Sequence, residues 1–148
     1  YESLQPSLRP SEILVDSIGV GGGVVDRLRE LGMPVRGINV GEAPALGKTY
    51  MNLRSELWFK TKGWLEDRSC KLPKDDQLLA ELTSIRYSFT SSGKLKAEGK
   101  DTMRKRGLKS PDLADALCLT MASDATTALS GNNSNWNKSI RRNLKGIA

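Results

Sequence analysis

Ile13-Leu14-Val15-Asp16-Ser17-Ile18-Gly19-Val20-Gly21-Gly22-Gly23-Val24-Val25 decides the fold class of this chain. Ile13, Leu14 and Val15 make a short apolar run, the pattern of a strand buried on both faces. Asp16 stands where that strand ends. Beyond the glycines, Val24 to Leu31 has helical periodicity and Gly32 supplies a C-cap. Val35 to Val40 reads as a second strand, so the segment predicts a β-α-β unit with a right-handed crossover. A carboxylate at the C-terminal edge of a parallel strand, beside a helix N-terminus, is where α/β folds place chemistry. A simple turn cap is the bland alternative for Asp16.

Outward from this unit, Tyr1 to Glu12 contains Pro6 and Pro10 and reads as a connector. Gly41 to Thr49 invites a phosphate-loop reading, but five residues separate Gly41 from Gly47 where G-x-x-x-x-G-K-[ST] has four, and Pro44 removes a backbone donor. Tyr50 to Lys62 predicts a helix ended by Gly63, with Leu53, Leu57, Trp58 and Trp64 packing. Asp75-Asp76 opens a further helix through Ser84, with Leu78, Leu79 and Leu82 on one face. Ile85 to Thr90, Ser91-Ser92-Gly93 and Lys94 to Glu98 predict a β-hairpin. Lys100, Arg104, Lys105, Arg106 and Lys109 then crowd a basic loop, which is a solvated surface or a site for phosphates.

Ser110-Pro111-Asp112-Leu113 reads as a helix start with Ser110 as N-cap. From Leu113 to Ala122 every residue except Asp115 and Thr120 is apolar, so the helix should be enclosed on most sides. The helix dipole accounts for Asp112. Asp115 has no such excuse, because an ionised carboxylate in apolar surroundings is costly unless paired or bound to metal. The two are three residues apart, on one face of the first turn, and both can reach one ion.

Composition narrows the classes. With 148 residues, 38% hydrophobic and 27% charged, the chain suits one globular domain, and no apolar run approaches the length of a membrane span. Cytoplasmic localisation is the expectation. There is no histidine, and Cys70 and Cys118 are isolated thiols, which excludes Ser-His and Cys-His nucleophiles and zinc-ligand spacings. The net charge of +6 permits a polyanionic partner. The remainder, Asn132 to Ala148 with Trp136, Lys138, Arg141, Arg142 and Lys145, reads as a flexible basic tail, which sets a division into 1–125 and 126–148. Asp16, Asp112 and Asp115 form a set of hard oxygen donors suited to Mg²⁺ or Mn²⁺, and paired ions of this kind cleave phosphodiesters.

Three blocks carry a resemblance: Val15-Asp16-Ser17-Ile18-Gly19-Val20-Gly21-Gly22-Gly23, then Asn52-x-Arg54-x-Glu56-x-Trp58, then Lys109-Ser110-Pro111-Asp112-Leu113-Ala114-Asp115-Ala116-Leu117. In order and separation, over about Ser11 to Ala122, they resemble the C-terminal nuclease domain of bacteriophage large terminase subunits. The resemblance implies an α/β, ribonuclease H-like mixed sheet flanked by helices, lacking its first strands and their catalytic aspartate, with a hairpin before the last helix. It implies metal-dependent cleavage of double-stranded DNA concatemers during genome packaging in the host cytoplasm, with Asp16 and Asp115 catalytic and Asp112 a supporting ligand. It also implies a packaging ATPase domain, portal and small terminase subunit as partners, with Lys100, Arg104, Lys105, Arg106 and Lys109 on the DNA backbone. Two rivals predict different behaviour: an inactive fragment that binds DNA or a packaging partner, and a nucleotide-binding protein using Gly41–Thr49.

Overall fold

β1 (Ile13–Asp16) and β2 (Val35–Ile38) pair in parallel, Ile13 opposite Val35 and Asp16 opposite Ile38, with α1 (Gly21–Glu30) crossing between them. The computed structural model describes residues 1, 3–68 and 70–123; the predicted tail, Trp136 included, lies outside them. β1 is half-buried along its length, not buried on both faces, because among the described residues this sheet has two strands. α1 begins inside the glycine run, three residues before the expected Val24. A Cβ on Gly21 would stand 1.8 Å from the Asp16 carbonyl oxygen, so glycine alone lets the helix start this close to the strand. Val25 is buried beneath it, and Gly37 opposite leaves it room.

α2 (Leu53–Glu66) starts later and runs further than Tyr50–Lys62. The Asn52 side chain accepts from the Ser55 amide at 3.0 Å and sets the start. The helix continues through Gly63, whose cost of about 1 kcal/mol is smaller than the burial that flanking apolar side chains provide. Leu57, Trp58 and Thr61 are buried on its inner face. α3 (Asp76–Ser84) is capped by Asp75, which accepts from the Leu78 amide at 2.9 Å. Leu78 and Leu82 enter the core, whereas Leu79 turns outward and is exposed.

β3 (Tyr87–Phe89) and β4 (Leu95–Ala97) form the expected hairpin, with Gly93 at φ 77° in the turn. Leu95 ties it to the loop before α2, donating to the Thr49 carbonyl and accepting from the Met51 amide. The stretch expected to be a basic loop instead contains a short helix, α4 (Lys100–Lys105). α5 (Asp112–Leu119) follows Pro111; Ser110 does not cap it, and the Ser110 hydroxyl is buried without a hydrogen-bond partner. α5 buries one face, Ala114, Cys118 and Leu119, against α2 and α3, while Leu113 and Ala116 are exposed; the helix is less enclosed than its composition predicts. Among the described residues no helix is long and apolar enough to cross a membrane.

Glu98, after β4, fastens the hairpin to the body. Its side chain is 6% exposed and accepts from Arg106 Nε at 2.8 Å and from the Arg86 amide at 3.2 Å. Arg106 also donates to the Ser84 carbonyl at the end of α3. Hydrogen bonding from Arg106 holds the Glu98 carboxyl below its ordinary value of 4.5. The associated stability is therefore present above pH 4.5 and lost as pH falls through the depressed value. Arg106→Ala is expected to lower the melting temperature at neutral pH and to flatten its decline on acidification, which melting curves from pH 7 down to pH 3 measure.

Candidate functional site

The C-terminal end of β1 carries Asp16, and its Oδ1 accepts from the Ile18 amide at 3.1 Å, an Asx turn that fixes the carboxylate where the chain leaves the sheet. α5 packs against β1 and brings Asp112 and Asp115 to the same place. The three aspartates line one cleft of about 570 Å³, together with Arg54 and Trp58 of α2 and Lys100 of α4. All three acids read from the sequence are thus on one surface.

Asp115 is the most heavily contacted of them. Its Oδ1 accepts from Arg54 Nη2 at 3.0 Å and from Trp58 Nε1 at 2.9 Å. Lys100 Nζ stands 3.3 Å from Oδ2, which is buried and has no hydrogen-bond partner. This half-buried carboxylate therefore has charged and polar company from α2 and α4. Arg54 and Trp58 were legible only as members of a motif; their four-residue spacing, which places both on one helix face, was the available signal.

The basic run divides. Lys100 belongs to the cleft. Arg106 is turned inward onto Glu98 and the Ser84 carbonyl: a guanidinium with a nearly buried carboxylate partner is an internal tie. Arg104 is exposed and pairs with Asp101 at 3.1 Å, and Lys105 and Lys109 are exposed.

Gly41–Thr49 is a chain of turns, and Leu46 donates its amide to Glu56 Oε2 at 3.3 Å. Glu56 is 1% exposed, with Lys60 Nζ 2.7 Å from its other oxygen. A carboxylate using a loop amide is opposite in charge to what a phosphate loop offers.

The fit of the cleft to a divalent cation follows from its donors. Carboxylate oxygens suit Mg²⁺ or Mn²⁺, and Asp115 Oδ2, buried without a hydrogen bond and 3.3 Å from Lys100 Nζ, belongs to a cleft that two further acids line. Among the described residues, however, no three acidic side chains are grouped closely enough to enclose an ion. The acids share a cleft without forming a grouped ligand set. Cys118, on the cleft wall and 2% exposed, is pushed up to about 12 by burial, so it stays a neutral thiol. Native-state alkylation is expected to modify Cys70, which is partly exposed, and to spare Cys118 until the chain is unfolded; mass spectrometry before and after denaturant checks this.

No protein-family model matches the chain, and no curated protein matches it by sequence. Solved structures do. The nuclease domain of the large terminase subunit gp2 of bacterial virus Sf6 aligns at 25% identity and a TM-score of 0.64, over 76% of this chain and 65% of that one. A lysine-to-alanine variant of the same domain with calcium gives the same values. The variant with manganese aligns at 24% identity and a TM-score of 0.60. The present chain thus spans about two thirds of the length of the Sf6 domain. Over 76% of its own length it has the ribonuclease H-like α/β fold of the nuclease domain of a phage large terminase subunit.

Proposed function

We propose that this chain is the main part of a metal-dependent endonuclease that cuts double-stranded DNA concatemers during phage genome packaging. The observation that carries the reading is the convergence of Asp16, Asp112 and Asp115 on one cleft of a terminase nuclease-like fold. Asp16 and Asp115 would hold Mg²⁺ or Mn²⁺, with Asp112 as auxiliary ligand. The Sf6 domain structures that contain manganese and calcium support a divalent ion. Bound there, such an ion would supply an activated water and charge stabilisation at the scissile phosphate. The chain's own residues supply the rest. Asp16 is fixed by its turn, and Arg54 and Trp58 hold Asp115. Lys100 adds positive charge beside the acids. Lys105 and Lys109, with Arg104 beside its exposed partner Asp101, would meet DNA phosphates. DNA in the host cytoplasm, with packaging ATPase, portal and small terminase subunit, completes the proposed setting.

A second reading, an inactive module that binds DNA or a packaging partner, is favoured by the lack, among the described residues, of three grouped ligands. Plasmid nicking assays in Mn²⁺, Mg²⁺ or EDTA separate the two. Metal-dependent nicking by the full chain is expected. DNA binding without nicking at any metal concentration selects the binding module.

A further inference from the structure

The two oxygens of Asp115 have unequal surroundings. Oδ1 takes two hydrogen bonds, from Arg54 Nη2 and Trp58 Nε1, both within 3.0 Å. Oδ2 is buried and takes no hydrogen bond; its close neighbour of opposite charge is Lys100 Nζ at 3.3 Å, a side chain 42% exposed. Both donors come from successive turns of α2, and both are themselves fixed. The Arg54 side chain is only 14% exposed, and its Nη1 donates to the Glu98 carbonyl. The Arg54 guanidinium lies 5.7 Å from the Trp58 ring centroid, and Trp58 is packed in the core. A carboxylate on an open cleft rotates about its last torsion and presents either oxygen. Two rigid donors on one oxygen remove that freedom.

We infer that Arg54 and Trp58 are positioning residues for Asp115: α2 saturates Oδ1, so that Oδ2 is the single oxygen this side chain offers to a divalent cation. Hydrogen bonds of this kind to a ligating carboxylate fix its orientation, and their loss typically weakens metal affinity about 10–100-fold. The arrangement also sets a direction. The Arg54 bond to Glu98 lies immediately before Gly99 and Lys100, so one guanidinium registers both the acid of α5 and the strand end that leads to the cation facing it. The inference rests on the reading of Asp115 as a metal ligand.

The test uses the full chain with Mn²⁺ alone as probe and the melting temperature as readout. Wild type, Trp58→Phe, Arg54→Lys and Asp115→Asn are compared, without metal and across a Mn²⁺ titration. Trp58→Phe keeps an aromatic ring and deletes the donor. It is expected to raise the Mn²⁺ concentration for half-maximal stabilisation about 10-fold. Arg54→Lys keeps the charge but loses the fork that reaches Asp115 and Glu98 together, and a shift of about 5-fold or more in the same direction is expected. A packing role alone would lower the metal-free melting temperature and leave the Mn²⁺ midpoint at the wild-type value in both variants; that result overturns the inference. If either variant fails to fold, the other carries the same comparison. If Asp115→Asn abolishes the Mn²⁺ response while the α2 variants do not move it, only the positioning role falls. If Asp115→Asn responds like wild type, the reading of Asp115 as a ligand falls, and the inference falls with it.

Discussion

Asp115→Asn is expected to reduce Mn²⁺-dependent plasmid nicking by roughly 10²–10³-fold, the loss typical of deleting one preorganised electrostatic group. The substitution is nearly isosteric and keeps an acceptor oxygen for Arg54 and Trp58, so the α2–α5 contact should survive. What disappears is the negative charge at Oδ2. Two cations then face one another across the cleft without their shared counter-charge: Arg54, 14% exposed, and Lys100, 42% exposed. A modest fall in melting temperature should therefore accompany the loss of nicking, and added salt should restore part of the stability by screening Lys100. Nicking and melting curves measured on one preparation separate these effects. Wild-type nicking by this variant would remove Asp115 from the proposed machinery.

Gly21→Ala is expected to lower the melting temperature by about 2–12 °C, while Gly23→Ala, two positions on in the same helix, should leave it unchanged or slightly raise it. The contrast is steric. A Cβ at Gly21 meets the Asp16 carbonyl oxygen at 1.8 Å, whereas one at Gly23 meets nothing within 4 Å. The obstacle is backbone and cannot rotate aside, so α1 must retreat from β1. Overpacking of this kind costs about 1–3 kcal/mol or more. In a chain of this size each kcal/mol moves the melting temperature by roughly 2–4 °C. At Gly23 the helical backbone suits alanine, which loses less conformational freedom on folding. Because the clash falls on Asp16 itself, Gly21→Ala should also displace that carboxylate, and nicking should fall further than stability alone explains. Thermal melts of the two variants, paired with nicking assays, decide the matter.

The elements that were legible in the sequence are those whose signal is local. β1, α1 and β2 follow from an apolar run, a glycine break and a helical period, and α5 follows from Pro111 and its apolar stretch. The placement of Asp16, Asp112 and Asp115 together follows from the same reasoning once strand end and helix start are fixed. Contacts between distant segments were not legible. Arg106 shows its charge in the sequence but not that Glu98 is its partner, so it read as a surface cation. Lys100 read as a phosphate contact because nothing local says that α4 turns it toward Asp115. Gly63 read as a stop, and tertiary packing of α2 overrode its propensity. Leu79 follows Leu78 by one position and so points away from it, a distinction that composition alone blurs.

Asp115 lies 57 residues beyond Trp58 and 61 beyond Arg54. During translation at roughly 5–20 residues per second, the nascent chain holds β1, β2 and α2 for about 2–10 seconds before that carboxylate is even synthesised. The early segment can pair β1 with β2, since those partners are near in sequence, but α2 has no acid to hold and the cleft has no far wall. A ribosomal product that stops short of α5 therefore carries Asp16 without its counterpart. Assembly of the cleft from both sides therefore waits until α5 has been made and docked.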